Sequence, residues 1–290
     1  MTRRTIRQLI RAQAVSDGAG VKIYRSLGLQ QHLRLDPFLM LDCFGSENPD
    51  DYIAGFPPHP HRGFETVTYM LEGHMLHEDH LGNRGHLKSG GVQWMTAGRG
   101  IIHSEMPQQE SGAMRGFQLW LNLPAAEKMK AAAYVDLDPA QISLAQLPHG
   151  VAKVIAGTLQ GAYLPTVQGP VRGLSTAPLY VDFQMHAAGE LTVNVPQGHN
   201  ALVYVYEGEA VIAGQAVGRH VAAVLDDGDQ LTVQYAAGSR FLLLSAKPIG
   251  EPIVQYGPFV MNSVAEIEQA IRDYQQGRLT DGAAATKVFA

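Results

Sequence analysis

The chain has 290 residues, of which 46% are hydrophobic and 17% charged, which predicts a folded protein of one large or two ordinary domains. Its net charge of −5 argues against direct nucleic-acid binding, because such binding needs a basic surface. It lacks an apolar run of about 20 residues that could cross a membrane and the apolar core of a signal peptide. With Cys43 as its only cysteine, we expect a cytoplasmic protein.

Short runs of alternating apolar residues, bounded by turn-forming residues, predict an all-β protein. The 31 glycines and 16 prolines supply the many tight turns that such a fold needs. Regularly spaced short strands are typical of sandwiches and barrels. The clearest predicted strands are residues 65–71, 191–195, 201–206, 230–235 and 241–245.

The two halves of the chain resemble each other. Residues 69–74 (YMLEGH) correspond to residues 204–209 (YVYEGE), and residues 87–91 correspond to residues 225–229. This echo predicts a duplicated β-barrel. Between the copies, residues 123–133 read as a short helical or irregular connector that begins at Pro124. We therefore expect an N-terminal barrel over residues 1–135 and a C-terminal barrel over residues 136–290.

One amphipathic helix is predicted near the C-terminus. Ser263 and Glu266 form a capping box. Apolar or aromatic residues follow at helical spacing, and Gly277 stands where the helix would end. We expect this helix to pack on a barrel, and the tail after Leu279 to be loosely ordered. The apolar positions are Val264, Ile267, Ile271 and Tyr274.

Seven of the twelve histidines lie within residues 59–103. His59 and His61 are two residues apart, so on a strand their side chains share a face, and His103 and Glu105 repeat this spacing. The turns between the two pairs allow them to lie on neighbouring strands. Three imidazoles and one carboxylate suit Fe(II), Mn, Ni, Co, Cu or Zn and leave ligand positions open. A surface pair without metal is the competing interpretation of the spacing alone.

Two longer strings resemble the pirin family of the cupin superfamily. They are residues 55–66 (GFPPHPHRGFET) and residues 93–107 (QWMTAGRGIIHSEMP), supported by residues 35–39 and 257–262. The resemblance implies a monomeric bicupin of two jelly-roll-like cupin barrels, with one metal, usually iron, in the N-terminal barrel. It implies His59, His61, His103 and Glu105 as the metal ligands, and Fe(II) as the first choice of ion.

The same resemblance bears on nearby residues. Glu65 occupies the carboxylate position of the general cupin motif, but pirins take their carboxylate from the second motif, so a hydrogen-bonding role is expected for Glu65. His77 and Asp79 match a family pattern, which suggests orientation of the site rather than ligation. In the second copy, Asn194 and Pro196 stand opposite His59 and His61, so the C-terminal barrel is expected to be structural.

The resemblance implies a quercetin 2,3-dioxygenase type of activity on a small enolic or flavonol substrate with O₂. Glu105 would take the proton of the enol. The alternative is a metal-containing regulatory protein that binds a transcription factor or a metabolic enzyme. A third option is isomerase or hydrolytic cupin chemistry on another metabolite.

Overall fold

The computed structural model describes residues 2–30, 33–281 and 286–287, and strands dominate it. Contacts divide the chain into two compact units. Unit A contains Ala14–Arg25, Phe38–Pro139 and the described residues from Ile249 onward. Unit B contains the described residues up to Gln13, those of Ser26–Pro37, and Ala140–Pro248. Neither unit is continuous in sequence. The N-terminal barrel over residues 1–135 and the C-terminal barrel over residues 136–290 stay predictions.

Unit A is built from one large and one small sheet, with a two-stranded ribbon, β25 (Val254–Tyr256) and β26 (Phe259–Met261). The large sheet has the order β2 (Gln13–Asp17), β3 (Val21–Leu27), β4 (Phe38–Ser46), β11 (Met114–Asn122), β6 (Phe64–Glu72), β9 (Val92–Thr96), β12 (Ala133–Leu137) and β27 (Thr286–Lys287). The small sheet has the order β5 (Phe56–His61), β10 (Ile101–Pro107), β7 (His74–Asp79) and β8 (Arg84–Lys88).

Unit B repeats this plan with two sheets. The first has the order β1 (Ile6–Arg11), β22 (Val221–Leu225), β19 (Asn200–Glu207), β24 (Arg240–Ala246), β17 (Leu179–Met185), β14 (Gly150–Ala156) and β13 (Ser143–Leu147). The second has the order β16 (Leu164–Gln168), β15 (Thr158–Ala162), β18 (Gly189–Asn194), β23 (Gln230–Tyr235), β20 (Glu209–Ile212) and β21 (Gln215–Gly218). The predicted all-β architecture with two barrel units is confirmed.

The internal echo of the sequence marks the same hairpin in both units. In unit A the hairpin joins β6 to β7 through Gly73, and in unit B it joins β19 to β20 through Gly208. Both glycines have positive φ, 107° and 68° respectively, a conformation that glycine adopts without the steric cost of a side chain. The five strands predicted from alternation are present as β6, β18, β19, β23 and β24. The predicted connector contains a short 3-10 turn at Ala125–Glu127, preceded by Pro124.

The predicted C-terminal helix is present as α1 (Val264–Gln275) in unit A. The hydroxyl of Ser263 caps it by accepting a hydrogen bond from the Glu266 backbone N–H at 3.3 Å. Ile267 and Ala270 are its buried residues, whereas Val264 and Tyr274, expected on the packing face, are 63% and 43% exposed. No helix in the described part of the chain is long and apolar enough to span a bilayer. The predicted loose tail falls partly on residues 282–285, which lie outside the described residues.

A buried lysine joins three separate segments of unit A. The Lys128 side chain is 1% exposed, and its ammonium donates to the carbonyls of Gly63 at 2.8 Å and Val260 at 3.0 Å. It also donates to Asn122 Oδ1 at 2.6 Å. Gly63 has a φ of 90°, and a Cβ at this position would collide with the Val260 carbonyl, so the turn after β5 requires glycine. Lys128 thus ties this turn to β26.

Replacing Lys128 tests how much its three hydrogen bonds stabilise the fold. Lys128→Met keeps the apolar stem but leaves three buried acceptors without their donor, so we expect the free energy of unfolding to fall by about 3 kcal/mol. Chemical denaturation at pH 7 measures this loss. Lys130→Met is the control, because the Lys130 ammonium is partly exposed and pairs with Glu127 at 2.8 Å. Equally small losses in the free energy of unfolding for both substitutions would contradict a stabilising role of the Lys128 hydrogen bonds.

The pH dependence of the free energy of unfolding gives a second test of Lys128. Burial lowers the pKa of Lys128 to about 8, whereas an unfolded lysine titrates near about 10.4. Between these two values the unfolded chain binds the additional proton, so the contribution of this residue to the free energy of unfolding rises with pH. We expect the wild-type protein to show this rise relative to Lys128→Met from about pH 8 to about pH 10.4.

Candidate metal centre

The two predicted ligand pairs lie on adjacent antiparallel strands. His59 and His61 end β5, and His103 and Glu105 lie in the middle of β10. His103 pairs directly with His59, and a register irregularity follows before Glu105. Directly paired residues of neighbouring strands project to the same side, as do residues i and i+2 of one strand. The local strand geometry therefore directs all four side chains to one face of the small sheet.

The structure brings the three imidazoles together. Their ring centroids lie 4.7 Å apart for His59 and His61, 4.4 Å for His59 and His103, and 4.9 Å for His61 and His103. One ring nitrogen of each lies within 4.8 Å of the others. Nitrogens around a single ion at about 2.1 Å would be about 3–3.5 Å apart, so small side-chain movements suffice to hold one. No other group of three or more potential ligands occurs in the described residues.

The hydrogen bonds and burial of these rings also suit a metal. His61 Nδ1 and His103 Nε2 are buried and have no hydrogen-bond partner, which is uncommon for buried polar atoms. His59 Nδ1 lies 2.8 Å from the Pro57 carbonyl, which can only accept, so the proton sits on Nδ1 and the lone pair on Nε2. A divalent ion would satisfy these unpaired nitrogens, so the residues present fit a bound metal.

Burial favours the neutral form of His61 and His103, the state in which an imidazole can coordinate. Removal from water lowers the pKa of His61 and of His103 well below the usual value, and the neighbouring imidazoles lower both further. The Pro258 backbone carbonyl acts in the opposite direction on His61 by hydrogen bonding to its ring. The rings of Phe64 and Trp120 pack against His61 at centroid distances of 5.2 and 5.3 Å, which completes its apolar surroundings.

Glu105 is held differently from the three histidines. It is 3% exposed, and its Oε1 accepts from the Thr68 hydroxyl at 2.9 Å while its Oε2 accepts from Gln118 Nε2 at 3.2 Å. Thr68 on β6 and Gln118 on β11 pair directly in the large sheet. The carboxylate does not belong to the group of closely spaced ligand atoms. Its role as fourth ligand therefore remains a prediction.

The sequence reasoning missed Thr68 and Gln118. A signal was present, because Thr66 and Thr68 are polar residues in a mainly buried strand and both are 2% exposed. Polar residues at alternate positions of a fully buried strand need partners, and such partners often belong to a functional site. Without the tertiary structure, nothing identified Glu105 as the partner.

Glu65 faces away from the candidate site. It alternates with Thr66 and Thr68 along β6, so an odd-numbered position projects from the opposite face of the strand to Thr68. Its carboxylate accepts from Trp94 Nε1 at 3.0 Å and from the Thr96 hydroxyl at 2.7 Å. Burial raises the pKa of Glu65, while these two bonds work against the rise. The expected hydrogen-bonding role of Glu65 agrees with these contacts.

The remaining clustered histidines have other contacts. His74 and His86 contact each other on the exposed side of the β7–β8 hairpin, with ring nitrogens 2.8 Å apart. The His80 ring accepts from the Ile102 backbone N–H at 3.4 Å. His77 is buried beside His103, and their Nδ1 atoms are 3.3 Å apart. Of the seven histidines, His59, His61 and His103 form the candidate centre and His77 lies beside it.

Unit B has an apolar interior on its corresponding strand pair. β18 pairs with β23 as β5 pairs with β10, but the buried positions are Leu191, Val193, Leu231 and Val233, all within one hydrophobic cluster. These side chains offer no lone pair to a cation. The structural role expected for the second barrel is consistent with this core.

Comparison with known proteins shows the family of this chain. A family model described as Pirin matches residues 20–121, and one described as Pirin C-terminal cupin domain matches residues 180–280. A Pseudomonas aeruginosa protein named "Putative quercetin 2,3-dioxygenase" is 53% identical over 284 residues, which cover 96% of this chain and 99% of the relative. The chain belongs to the pirin family. Its two barrels are cupin domains.

Solved structures agree with this membership of the pirin family. Quercetin 2,3-dioxygenase from Acinetobacter baumannii superposes with a TM-score of 0.87 at 32% identity, over 97% of this chain and 99% of that one. The bacterial pirin YhhW from Escherichia coli, solved in complex with nickel(II), has a TM-score of 0.65. At 17% identity, over 83% of this chain and 99% of that one, YhhW shares the fold.

In this pirin-family chain, an arginine next to the ligand strand connects it to α1. Arg62 is 4% exposed, donates from Nη1 to Asp273 Oδ2 at 2.7 Å and from Nη2 to the Leu279 carbonyl at 3.1 Å. Its Nε donates to the Arg99 carbonyl. Burial opposes ionisation of Asp273, but hydrogen bonds from Arg62 and Gln269 outweigh it and lower the pKa of this carboxyl. The helix thereby fixes the residue that follows His61.

Asp273→Asn tests this connection. The amide keeps the shape but loses the charge, so we expect the free energy of unfolding to fall by about 2 kcal/mol, since a bond to a charged group is lost. Because the folded pKa is lowered, the stabilisation is present above about pH 3.9 and disappears as the pH falls through the folded pKa. Denaturation of both proteins across this range measures it.

The matched control is Glu268→Gln on the same helix. The Glu268 carboxylate lies 3.8 Å from Arg272, and both side chains are at least half exposed, so a negligible change is expected. An Asp273→Asn protein as stable as this control would contradict the proposed connection.

Proposed function

We propose that this pirin-family protein is a mononuclear metal-dependent dioxygenase that cleaves an enolic flavonol such as quercetin with O₂. The convergence of three imidazoles on β5 and β10, two of them buried and one partly buried, carries this proposal. The names of the P. aeruginosa relative and of the A. baumannii structure support it. The proposed ligands are His59, His61, His103 and Glu105.

The donor set favours a divalent transition-metal ion over calcium or magnesium, because imidazole ligands suit the former and oxygen ligands the latter. We propose Fe(II), with Zn, Mn, Ni, Co and Cu as ions that the same donors accept. When bound, the ion would act as a Lewis acid that lowers the pKa of a chelated enol hydroxyl. Histidine coordinates a metal as the neutral imidazole, so the carboxylate of Glu105 would be the only anionic donor.

Glu105 is the proposed base for the enol proton. It is positioned by Thr68 and Gln118, so its carboxylate orientation is fixed before substrate binds. A positioned carboxylate that removes a proton in the transition state contributes typically about 10²–10⁴-fold to the rate. Removal of the enol proton would leave an electron-rich ring, which is the partner that O₂ requires.

The network around Glu105 can hold the transferred proton. Thr68 Oγ1 lies 2.9 Å from Glu105 Oε1 and 2.6 Å from Gln118 Oε1, but its single proton can reach only one of these acceptors. If Glu105 Oε1 carries the proton, it can donate to Thr68, and Thr68 can donate to Gln118. Gln118 Nε2 meanwhile donates to Glu105 Oε2. All three groups are then satisfied in one ring.

Elemental analysis and oxygen uptake test the proposal together. Protein purified without an affinity tag should contain about one metal ion per chain. After reconstitution with one ion at a time, it should consume O₂ with quercetin or another 3-hydroxy-4-ketone enol. Substantial loading by every ion, without oxygen uptake from any enol of the panel, would contradict the dioxygenase proposal.

Two substitutions separate metal binding from proton transfer. His61→Ala should lose metal and oxygen uptake together. Glu105→Gln removes the base but keeps the side-chain shape, so kcat should fall about 10²-fold or more while the metal held by the histidines is partly retained. His186→Ala, on an exposed residue of unit B, is the control and should leave both unchanged.

The regulatory alternative uses the same centre but predicts another result. A protein that binds a transcription factor or a metabolic enzyme through a metal-dependent surface needs the metal but no turnover. Stoichiometric metal without oxygen uptake, together with metal-dependent capture of one defined partner, would favour that alternative.

A further inference from the structure

His77 contacts a proposed metal ligand from within the same sheet. It lies on β7 directly opposite Glu105 of β10, is 3% exposed, and its ring centroid is 4.9 Å from that of His103. The two Nδ1 atoms are 3.3 Å apart. Two nitrogens at this separation form a hydrogen bond only if one of them carries a proton and the other does not.

The identity of the donor determines what His103 can do. If His77 Nδ1 donates, a neutral His103 must carry its proton on Nε2 and has no lone pair there. If His77 Nδ1 accepts, the His103 proton lies on Nδ1, and Nε2 is free to coordinate. The Nε2 atoms of His77 and His103 are both buried without a hydrogen-bond partner, but only His103 belongs to the group of three closely spaced imidazoles, so its Nε2 is the nitrogen available to a metal.

The comparison with His59 shows why this contact matters. His59 Nδ1 faces the Pro57 carbonyl, which can only accept, so the backbone fixes its tautomer. The corresponding nitrogen of His103 faces another imidazole, which can act either way. The tautomer of His103 therefore depends on the His77 side chain, and a substitution of His77 can change it.

The His77 ring is itself held in place. On its other side the Tyr134 ring packs against it edge to face at 5.7 Å. The Tyr134 hydroxyl contacts the Asp79 carboxylate and accepts from Asn83 Nδ2 at 2.7 Å. These bonds orient Tyr134, and Tyr134 in turn limits how the His77 ring can turn away from His103.

We propose that His77 is a positioning residue whose Nδ1 accepts a hydrogen bond from His103 Nδ1–H, and so holds His103 in the tautomer that coordinates through Nε2. This inference rests on the proposed metal site but assigns His77 no contact with the metal or the substrate. Bonds of this kind fix the orientation of a ligand and raise its basicity, and their loss typically weakens metal binding about 10–100-fold.

Three substitutions at this position distinguish an acceptor from a space-filling side chain. Asn places its Oδ1 as many bonds from Cα as the His Nδ1, so His77→Asn keeps the acceptor. Gln places its amide near the position of Nε2 instead, and Leu offers no acceptor. We expect His77→Leu and His77→Gln to weaken Zn²⁺ binding about 10–100-fold. His77→Asn should retain most of the wild-type Zn²⁺ affinity.

Competition with a chromophoric chelator measures the Zn²⁺ affinity of each protein without reference to turnover. His86→Asn is the matched control, because His86 lies on the adjacent strand β8, is exposed, and contacts His74 rather than the site. Its affinity should equal that of the wild type. Thermal unfolding of the metal-free proteins shows whether each variant folds.

A spectroscopic measurement reads the tautomers directly. In Zn²⁺-loaded protein labelled with ¹⁵N-histidine, His103 Nδ1 should be protonated and His77 Nδ1 unprotonated. This experiment uses the wild-type chain, so it decides the question even if His77→Leu fails to fold. A protonated His77 Nδ1 in the loaded protein would overturn the inference.

The affinity outcomes separate this inference from the proposed function. A wild-type protein without Zn²⁺ affinity would refute the metal site itself. Wild-type binding that His77→Leu leaves unchanged would refute the role of His77 alone. If His77→Asn binds as weakly as His77→Leu, the imidazole rather than its acceptor is required, and the proposed hydrogen bond is wrong.

Discussion

The pairing of β5 with β10 is the constraint on which the candidate centre depends. Each strand carries two potential ligands at positions i and i+2, and a strand projects such residues from one face. The register places His103 directly opposite His59, so the two faces coincide. A shift of one residue on either strand would turn its pair to the opposite face of the sheet and dismantle the centre.

The residues around the strand pair set the protonation and orientation of the candidate ligands. Burial keeps His61 and His103 neutral, so no proton competes with a metal for their lone pairs near neutral pH. The opposing large sheet contributes Thr68 and Gln118, which orient the one carboxylate. In unit B the equivalent pair, β18 and β23, has an apolar buried face. The same scaffold thus supports either a polar centre or an ordinary core, depending on a few inward positions.

Segments far apart in sequence complete the support of the ligand strand. The turn after His61 contains Arg62 and Gly63, and each is bonded to a later part of unit A. Arg62 reaches Asp273 of the C-terminal helix, while Lys128 bonds the Gly63 carbonyl and β26. Because buried charges are costly without partners, we expect these contacts to be sensitive to substitution although neither residue is a candidate ligand.

The sequence alone determined the strands, the duplicated hairpin and the capped helix, because alternation, Glu-Gly turns and capping residues act through neighbours a few positions away. It also determined that His59, His61, His103 and Glu105 could share a face. It could not show that Thr68 and Gln118 hold Glu105, that His77 faces His103, or that α1 packs in unit A and leaves Val264 exposed. Those features depend on which strands become neighbours and in what register, and long-range packing sets both.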